Sequence, residues 1–267
     1  MMKHFLWLFI SLFIFCLLSA GCPPPTTPGN QDTLDLVKQR GTLIVLLGAE
    51  YPPFNVLDTT GKAVGLDVDI AQEIANDMQV TLDIQVLPWD GMLAFFSTGK
   101  GDLIIDGISI TEERQKVLDF SDPYYRVGQV ILKRKGDTRI QSYRDLNQAK
   151  FKIACQMGAT SHKAITELMP QATPLFFQQP DEGASALKQG FVDALIMDDP
   201  WIKVYLHEQE SGETLEGILE PFTDEPIGIP VRKDSPKMLQ QVNKTLKRLK
   251  DSGAYQHLLE KYDLVVD

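Results

Sequence analysis

A short polar segment directly after a predicted strand carries residue types suited to binding a charged ligand. The apolar run Leu103–Ile105 is too brief for a helix and predicts a buried strand. Asp106, Gly107 and Ser109 follow at the point where this strand leaves its sheet. Because ligands of open α/β sheets bind outside the carboxyl ends of the strands, we predict a binding site at this segment.

Arg114 lies about one turn inside a helix that the next residues predict. Thr111 supplies a hydroxyl N-cap, and two acids occupy the first turn. The planar guanidinium of arginine binds a carboxylate through two parallel charge-assisted hydrogen bonds. From this stretch alone, a surface ion pair of Arg114 with Glu113 or Asp119 is an equally consistent interpretation.

Composition and motifs exclude several classes of function. The length of 267 residues allows one large or two medium domains, and 43% of the residues are hydrophobic, which is enough for a packed core. The net charge is -10. The negative charge argues against nucleic-acid binding and against an electrostatic membrane patch. The four His residues show no metal spacing, and nucleophile-elbow, Walker and Gly-x-Gly-x-x-Gly motifs are absent. We therefore expect no metal, no cofactor and no catalytic residues.

The N-terminus has the pattern of a signal peptide over residues 1–21. Lys3 gives the positive start, Phe5–Leu18 the apolar core, and Ser19–Cys22 the small residues of a cleavage site. An uncleaved transmembrane anchor is the alternative, but this apolar core is shorter than the roughly 20 residues of a span. A Pro-rich tether, 22–32, follows and predicts a semi-rigid linker.

Cysteine usage agrees with export. Only Cys155 lies in the folded body, so no internal disulfide can form there. Its place in or beside an apolar strand predicts a buried, inert thiol. A nucleophilic pair with His162 is the alternative, although no motif supports it.

From Thr33 onward, short strands alternate with amphipathic helices, which predicts a mostly parallel sheet. Part of this pattern repeats with an offset of 91 positions, so that Asp90, Gly99 and Asp102 recur as Asp181, Gly190 and Asp193. Chance similarity between strand–helix–strand units is the alternative. We interpret the repeat as two similar lobes.

The second half of the chain offers a matching set of binding features. Gly158–Ser161 precedes a helix predicted over 163–169 and could present free backbone N–H groups to an anion, or Ser161 could simply cap the helix. Asp198 ends the repeated strand as Asp106 ends the first one. Further along, Asp199–Pro200 predicts a helix start, Ile227–Val231 a strand, and Ser235–Pro236 the start of a long helix.

Five motifs in order resemble a known family: Tyr51–Phe54, Gly65–Ile70, Ser109–Arg114, Phe120–Tyr125 and Asp193–Asp198. They are similar to the polar amino-acid branch of the bacterial extracellular solute-binding proteins, family 3. Members capture substrates for ABC importers and pass them to a permease. The resemblance covers the chain from Thr33 to Val266.

The resemblance implies an α/β, two-lobed periplasmic-binding-protein type II (Venus flytrap) fold with the second lobe inserted in the first. We place the first lobe at 33–126 and 224–267 and the second at 127–223, with hinge crossings near Arg126–Gly128 and Pro221–Pro226. The sequence ending at Cys22 also resembles a lipobox. It implies a lipid anchor on Cys22 that holds the protein outside the cytoplasm, and we expect the protein to be a monomer.

The resemblance also implies roles for residues that match the family pattern. Arg114 corresponds to the residue that binds the α-carboxylate of the ligand, helped by Thr160. Asp198 corresponds to the acid that takes the α-ammonium, together with Ser109 and the carbonyl of Gly107.

Side-chain recognition departs from the family pattern. Tyr51 and Trp89 correspond to aromatic walls, but Gly48 stands where many relatives carry an acid, and Asp106 stands where small or hydroxyl residues are usual. Glu50 also lies beside the expected pocket. The added negative charge predicts a cationic ligand (arginine, lysine or histidine), with glutamine or another neutral polar amino acid second. The alternative is that Asp106 turns away and caps a neighbouring loop, in which case it gives no information about the ligand.

Two other functions are compatible with the same resemblance. Cyclohexadienyl dehydratases resemble this family in sequence and fold, so an enzyme is one alternative. A sensor that binds an amino acid without transport is another.

Overall fold

The structure is a computed structural model that describes residues 31–208 and 213–265. The predicted signal peptide, Cys22 and most of the tether lie outside the described residues. Within the described part, no helix is both long enough and apolar enough to cross a bilayer.

Helices and strands alternate along most of the chain. The helices are α1 Thr33–Arg40, α2 Leu66–Met78, α3 Met92–Ser97, α4 Glu112–Gln115, α5 Thr160–Leu168, α6 Pro180–Lys188, α7 Asp199–Glu208, α8 Pro236–Asp251 and α9 Ala254–Lys261. The strands are β1 Thr42–Leu47, β2 Glu50–Tyr51, β3 Asn55–Leu57, β4 Ala63–Val64, β5 Thr81–Val86, β6 Leu103–Ile104, β7 Leu118–Phe120, β8 Tyr125–Val127, β9 Gln129–Arg134, β10 Lys152–Gln156, β11 Thr173–Phe177, β12 Ala194–Asp198, β13 Leu215–Ile218, β14 Glu225–Ile227 and β15 Pro230–Arg232.

Two open sheets form the centres of two lobes. The first has the strand order β5-β1-β6 and is parallel. The second has the order β11-β10-β12-β9-β13, in which β9 runs antiparallel to both of its neighbours. The central strands β1 and β10 consist largely of buried apolar residues, as expected for strands covered on both faces. This mixed α/β, two-lobed architecture agrees with the predicted fold class.

The sequence repeat has a structural counterpart at the start of β6 and β12. The Asp102 carboxylate accepts a hydrogen bond from the Ile44 N–H at 2.8 Å, and the Asp102 N–H donates to the Ile44 carbonyl at 2.8 Å. Asp193 makes the same pair of bonds with Lys152, at 3.0 and 2.8 Å. Each repeated Asp therefore ties the start of its strand to the neighbouring strand, β1 or β10.

A short ladder lies where the chain passes between the lobes. The chain leaves the first lobe after β8, which pairs antiparallel with β14 on the way back. β7 pairs in the same way with β15. The β8–β14 ladder lies where the hinge crossings are predicted, whereas the β7–β15 ladder lies inside the predicted first lobe. The lobe boundaries stay a prediction.

The predicted strand Ile227–Val231 is wrong, because the chain changes partner strands in its middle. The Gly228 N–H donates to the Ile108 carbonyl at 3.0 Å, and the Ile229 N–H donates to the Ser121 hydroxyl at 2.9 Å. A Cβ on Gly228 would lie 2.9 Å from the Ile110 side chain. The switch therefore splits the segment into β14 and β15.

Cys155 lies in β10 and is buried, as predicted. Burial raises the pKa of its thiol to about 12. A thiol that stays protonated at neutral pH is a poor nucleophile, which argues against the alternative pair with His162.

Candidate ligand-binding site

A small cavity of about 50 Å³ lies between the lobes, beside the carboxyl ends of β1 and β10. All eight residues predicted as ligand contacts line it. They are Tyr51, Trp89, Asp106, Gly107, Ser109, Arg114, Thr160 and Asp198. The structure thus brings the predicted set together, and their roles towards a ligand stay predictions.

Arg114 is held at the cavity by its own short helix and by two carbonyls. The Thr111 hydroxyl accepts from the Arg114 N–H at 3.2 Å, which confirms the N-cap. The guanidinium donates to the Ser109 carbonyl at 2.9 Å and, across the lobes, to the Gly158 carbonyl at 3.3 Å. It also lies 5.6 Å from the centre of the Trp89 ring. Of five N–H donors, these bonds use two and leave the others for a ligand carboxylate.

The alternative surface ion pair of Arg114 does not form in the part of the chain that the structure describes. No carboxylate oxygen there lies within 4.0 Å of its guanidinium nitrogens, and Asp119 pairs with Lys233 at 3.3 Å. Burial lowers the pKa of Arg114 from its ordinary value of 12.5. An arginine at this depth still carries its charge.

The start of α5 forms the opposite wall. This helix begins at Thr160, so its predicted start at residue 163 is wrong, and Ala159 at the N-cap position offers no side-chain cap. The Ser161 hydroxyl is buried without a hydrogen-bond partner among the described residues, which excludes capping by Ser161. The first N–H groups of the helix therefore remain open towards an anion.

Asp198 ends β12 on the second-lobe side of the cavity. It accepts hydrogen bonds from the Tyr51 hydroxyl and the Gln129 amide. Burial, reinforced by the negative charge of Glu225, raises the pKa of Asp198 to about 7, and the two hydrogen bonds oppose this rise. A cation entering the cavity would favour the charged carboxylate.

Tyr51 and Gly107 form one packed unit. The Tyr51 ring stacks on Phe54 with centroids 4.9 Å apart, and its hydroxyl crosses to Asp198. A Cβ on Gly107 would lie 2.3 Å from the Tyr51 ring, and the φ of Gly107 is +57°. Only glycine fits here, because both the ring and the left-handed backbone exclude a side chain.

Asp67 explains why the Gly65–Ile70 motif belongs to this site. Its buried carboxylate accepts from the Gly107 N–H at 3.1 Å, from Asn55 at 2.9 Å and from the Tyr124 hydroxyl at 2.7 Å. Burial raises the pKa of Asp67 to about 6 against these hydrogen bonds. The motif thus holds the Gly107 loop in place from behind.

Asp106 both lines the cavity and caps a neighbouring loop. Its carboxylate accepts from the Gly48 N–H at 3.0 Å, and a Cβ on Gly48 would lie 3.3 Å from an oxygen of Asp106. Burial raises the pKa of Asp106 to about 8, opposed by the Gly48 bond and helped by the charges of Asp67 and Glu50. A carboxyl group therefore lies directly beside the position where Gly48 has no side chain.

Contacts at the mouth close the cavity. The Trp89 indole donates to the Met157 carbonyl at 3.0 Å, and the Gln179 amide donates to Glu50 at 2.7 Å. Trp89 lies in the loop between β5 and α3. Both contacts join loops of different lobes.

Two residues that sequence reasoning missed lie at the crossings. Gln129 lines the cavity at the start of β9, and Glu225 lies behind it in β14. Their amide and carboxylate are 3.2 Å apart. Their position in the sequence could have indicated them, because both are polar residues in or next to the predicted hinge segments.

No group of three or more His, Cys, Asp or Glu residues with the arrangement of a metal site occurs in the described ranges. The charged side chains that line the cavity are Arg114 and three acids, namely Glu50, Asp106 and Asp198. Two lobes that enclose opposite charges in this way define a solute-binding protein.

A family model described as bacterial extracellular solute-binding proteins, family 3, matches residues 43–264. The chain belongs to this family.

Known relatives extend over nearly the whole chain. The ABC transporter glutamine-binding protein GlnH of Bacillus subtilis (strain 168) is 32% identical over 98% of this chain and 97% of its own length. The structure of the ancestral amino acid-binding protein AncCDT-1, a precursor of cyclohexadienyl dehydratase, is 36% identical, with a TM-score of 0.80 over 87% of this chain and 99% of that one. An ancestral arginine-binding protein bound to arginine is 36% identical, with a TM-score of 0.79 over 84% of this chain and 98% of that one.

Proposed function

We propose that this protein is the extracytoplasmic substrate-binding component of an ABC importer and captures a polar, preferably cationic, L-amino acid. The observation that carries the proposal is the placement of Arg114 and Asp198 on opposite sides of one cavity. An amino acid presents a carboxylate and an ammonium group, and the two side chains complement one each. The relative GlnH is named for an ABC transporter, which supports the partnership with a permease.

The carboxylate side of the cavity combines several donors. The guanidinium of Arg114 has N–H groups to spare, and the start of α5 adds backbone N–H groups around Thr160. Charge-assisted bonds of this kind are about twice as strong as neutral ones. The ammonium side combines Asp198 with the Gly107 carbonyl and Ser109.

The charge balance favours a cationic side chain. Three carboxyl groups line the cavity against one guanidinium, and buried unpaired charge is costly. A zwitterion adds no net charge, whereas arginine or lysine adds one positive charge beside Asp106. The arginine-bound relative supports this choice, and the glutamine-binding relative supports glutamine as the second candidate.

A binding titration with arginine, lysine, histidine, glutamine and glutamate tests this assignment. We expect a cationic amino acid to bind most tightly to the wild type. Asp106→Ser should weaken binding of the cationic amino acid by about tenfold or more, since a hydrogen bond to a charged group contributes about 1.5–3 kcal/mol. Binding of glutamine should change far less.

Glu50→Gln is the matched control, because Glu50 also lines the cavity but is held by Gln179 at its mouth. A preference for glutamate, or a cation preference that Asp106→Ser leaves unchanged, would contradict the assignment.

A dehydratase is the second candidate, favoured by the 36% identity to a precursor of cyclohexadienyl dehydratase. Incubation with arogenate and prephenate separates the two functions. Recovery of a bound amino acid without any turnover supports the binding protein, whereas dehydrated product supports the enzyme.

We also propose that the protein is a monomer tethered outside the cytoplasm by a lipid on Cys22. Cys22→Ser removes the acceptor thiol, so the protein should move from the membrane fraction to the soluble fraction after cell lysis. Cys16→Ser is the matched control and should stay with the membrane. Retention of Cys22→Ser in the membrane would point to an uncleaved anchor.

A further inference from the structure

A polar network outside the predicted set of contacts joins the two sides of the cavity. The Gln129 amide nitrogen donates to Asp198, to the Thr160 hydroxyl at 3.3 Å and to Glu225 Oε1 at 3.2 Å. Glu225 Oε2 accepts from the Ser109 hydroxyl at 3.0 Å. One amide and one carboxylate at the crossings thus reach three groups of the cavity wall, Asp198, Thr160 and Ser109.

Glu225 decides in which direction the Ser109 hydroxyl points. A carboxylate accepts hydrogen bonds and has no proton to donate, so Ser109 must give its only proton to Glu225. The lone pairs of Ser109 are then left for the cavity. A hydroxyl held in this way accepts from an ammonium group and cannot donate to a carboxylate.

Gln129 gives the Thr160 hydroxyl the opposite hydrogen-bonding role, that of a donor towards the cavity. The Gln129 NH₂ group has two protons for three acceptors, so one proton is shared between acceptors that include the Thr160 oxygen, and the Thr160 proton remains free to donate. The two hydroxyls are 3.5 Å apart. One therefore faces the ligand as an acceptor on the Asp198 side and the other as a donor on the Arg114 side.

Gln129 also has a hydrogen-bond acceptor that is not used by the described residues. Its Oε1 atom is buried and has no hydrogen-bond partner among the described residues, while the residue as a whole is 1% exposed. A buried amide oxygen without a donor is rare in folded proteins. A ligand ammonium in the cavity would supply the missing donor.

We propose that Glu225 and Gln129 are positioning residues that orient the cavity hydroxyls, so that the site selects a primary α-ammonium group over an α-hydroxyl or α-hydrogen. This inference rests on the proposed amino-acid binding. It assigns the selection of the α-ammonium group to Glu225 and Gln129, at the crossings between the lobes, as well as to Asp198. α-Hydroxy acids and desamino acids are the ligand class that the network rejects.

Glu225→Gln reverses one bond of the network while preserving the others. In the variant, the amide oxygen can keep accepting from Gln129 and from the Thr223 hydroxyl, which lies 2.8 Å from Glu225 Oε1 in the wild type. Its NH₂ group then faces Ser109 and donates to it. The Ser109 proton is pushed towards the cavity, where it meets the ligand ammonium.

Calorimetric titration of L-arginine and its desamino analogue 5-guanidinopentanoate measures the discrimination, with L-glutamine and its desamino analogue as a parallel pair. Glu225→Gln should weaken the amino acid by about tenfold or more and the desamino analogue by much less. Asp224→Asn is the matched control, since it removes a carboxylate from the adjacent residue, whose partner is the exposed Arg126. It should bind like the wild type.

A double-mutant cycle shows whether Glu225 acts through Ser109. In a Ser109→Ala background, Glu225→Gln should lose most of its effect on the amino acid. Gln129→Met fills a similar volume without amide groups and should reduce the same discrimination. This variant tests the inference even if Glu225→Gln folds poorly.

Equal losses for the amino acid and its desamino analogue, or wild-type discrimination in both variants, would overturn the inference and leave the proposed function standing. Failure of the wild type to bind any tested amino acid would overturn both.

Discussion

Arg114→Ala is expected to weaken amino-acid binding by about two decades or more. The guanidinium is largely desolvated and fixed by the Ser109 and Gly158 carbonyls, so it meets a ligand carboxylate without further ordering. Removing one partner of a desolvated, hydrogen-bonded charge pair costs about 2–5 kcal/mol, and every 1.4 kcal/mol is tenfold in affinity. Isothermal titration with the tightest ligand of the amino-acid panel measures the loss.

Two further variants separate charge from geometry. Arg114→Lys keeps the positive charge but loses the planar pair of donors, so its affinity should fall between those of the wild type and Arg114→Ala. Arg126→Ala removes an exposed arginine that pairs with Asp224 at 2.6 Å and should bind normally. Binding by Arg114→Ala within a few-fold of the wild type would exclude this residue as the carboxylate site.

The sequence allowed the prediction of those site residues whose placement follows from local structure. Asp106 follows shortly after β6 and Asp198 ends β12; the two strands start in the same way, and each lies beside an interior strand of its sheet. Arg114 follows within one turn of an N-cap that Thr111 makes recognisable. Residues fixed by neighbours in the sequence in this way can be placed from pattern alone.

Gln129 and Glu225 could not be placed in this way, because their positions depend on which strands pair at the crossings. Glu225 meets Gln129 across 96 positions of sequence and Ser109 across 116. The strand error at Gly228 has the same cause, since the change from β8 to β7 as partner is a long-range event. No local pattern reports such pairing.

The start of α5 shows a related limit. The sequence offers Thr160 and Ser161 as capping hydroxyls, and the usual preference would place one of them before the helix. In the structure both lie inside the first turn, with Ala159 at the N-cap position. A helix start without a side-chain cap is costly unless another group takes its N–H donors. A ligand carboxylate would supply that group, so the poor cap and the predicted anion site agree.

Asp198→Asn tests the ammonium side with a nearly isosteric change. The asparagine oxygen can still accept from Gln129, and its NH₂ group can donate to the Tyr51 hydroxyl, which rotates to accept. The fold and the two hydrogen bonds are thereby preserved, and only the negative charge is lost. The ligand-free variant should melt close to the wild type in a thermal denaturation experiment.

We expect this variant to lose about two decades of affinity for an L-amino acid and also the pH dependence of binding. Burial raises the pKa of Asp198 from 3.8 to about 7, so the wild-type carboxylate forms as the pH rises through about 7. The ammonium binds that form, so wild-type affinity should increase over this range with release of a proton, which titrations in buffers of different ionisation enthalpy detect. With L-glutamine as the ligand, whose neutral side chain does not require a charged Asp106, Asp198→Asn should show neither effect. Near-wild-type affinity, or an unchanged pH profile in a folded Asp198→Asn protein, would place the ammonium elsewhere in the cavity.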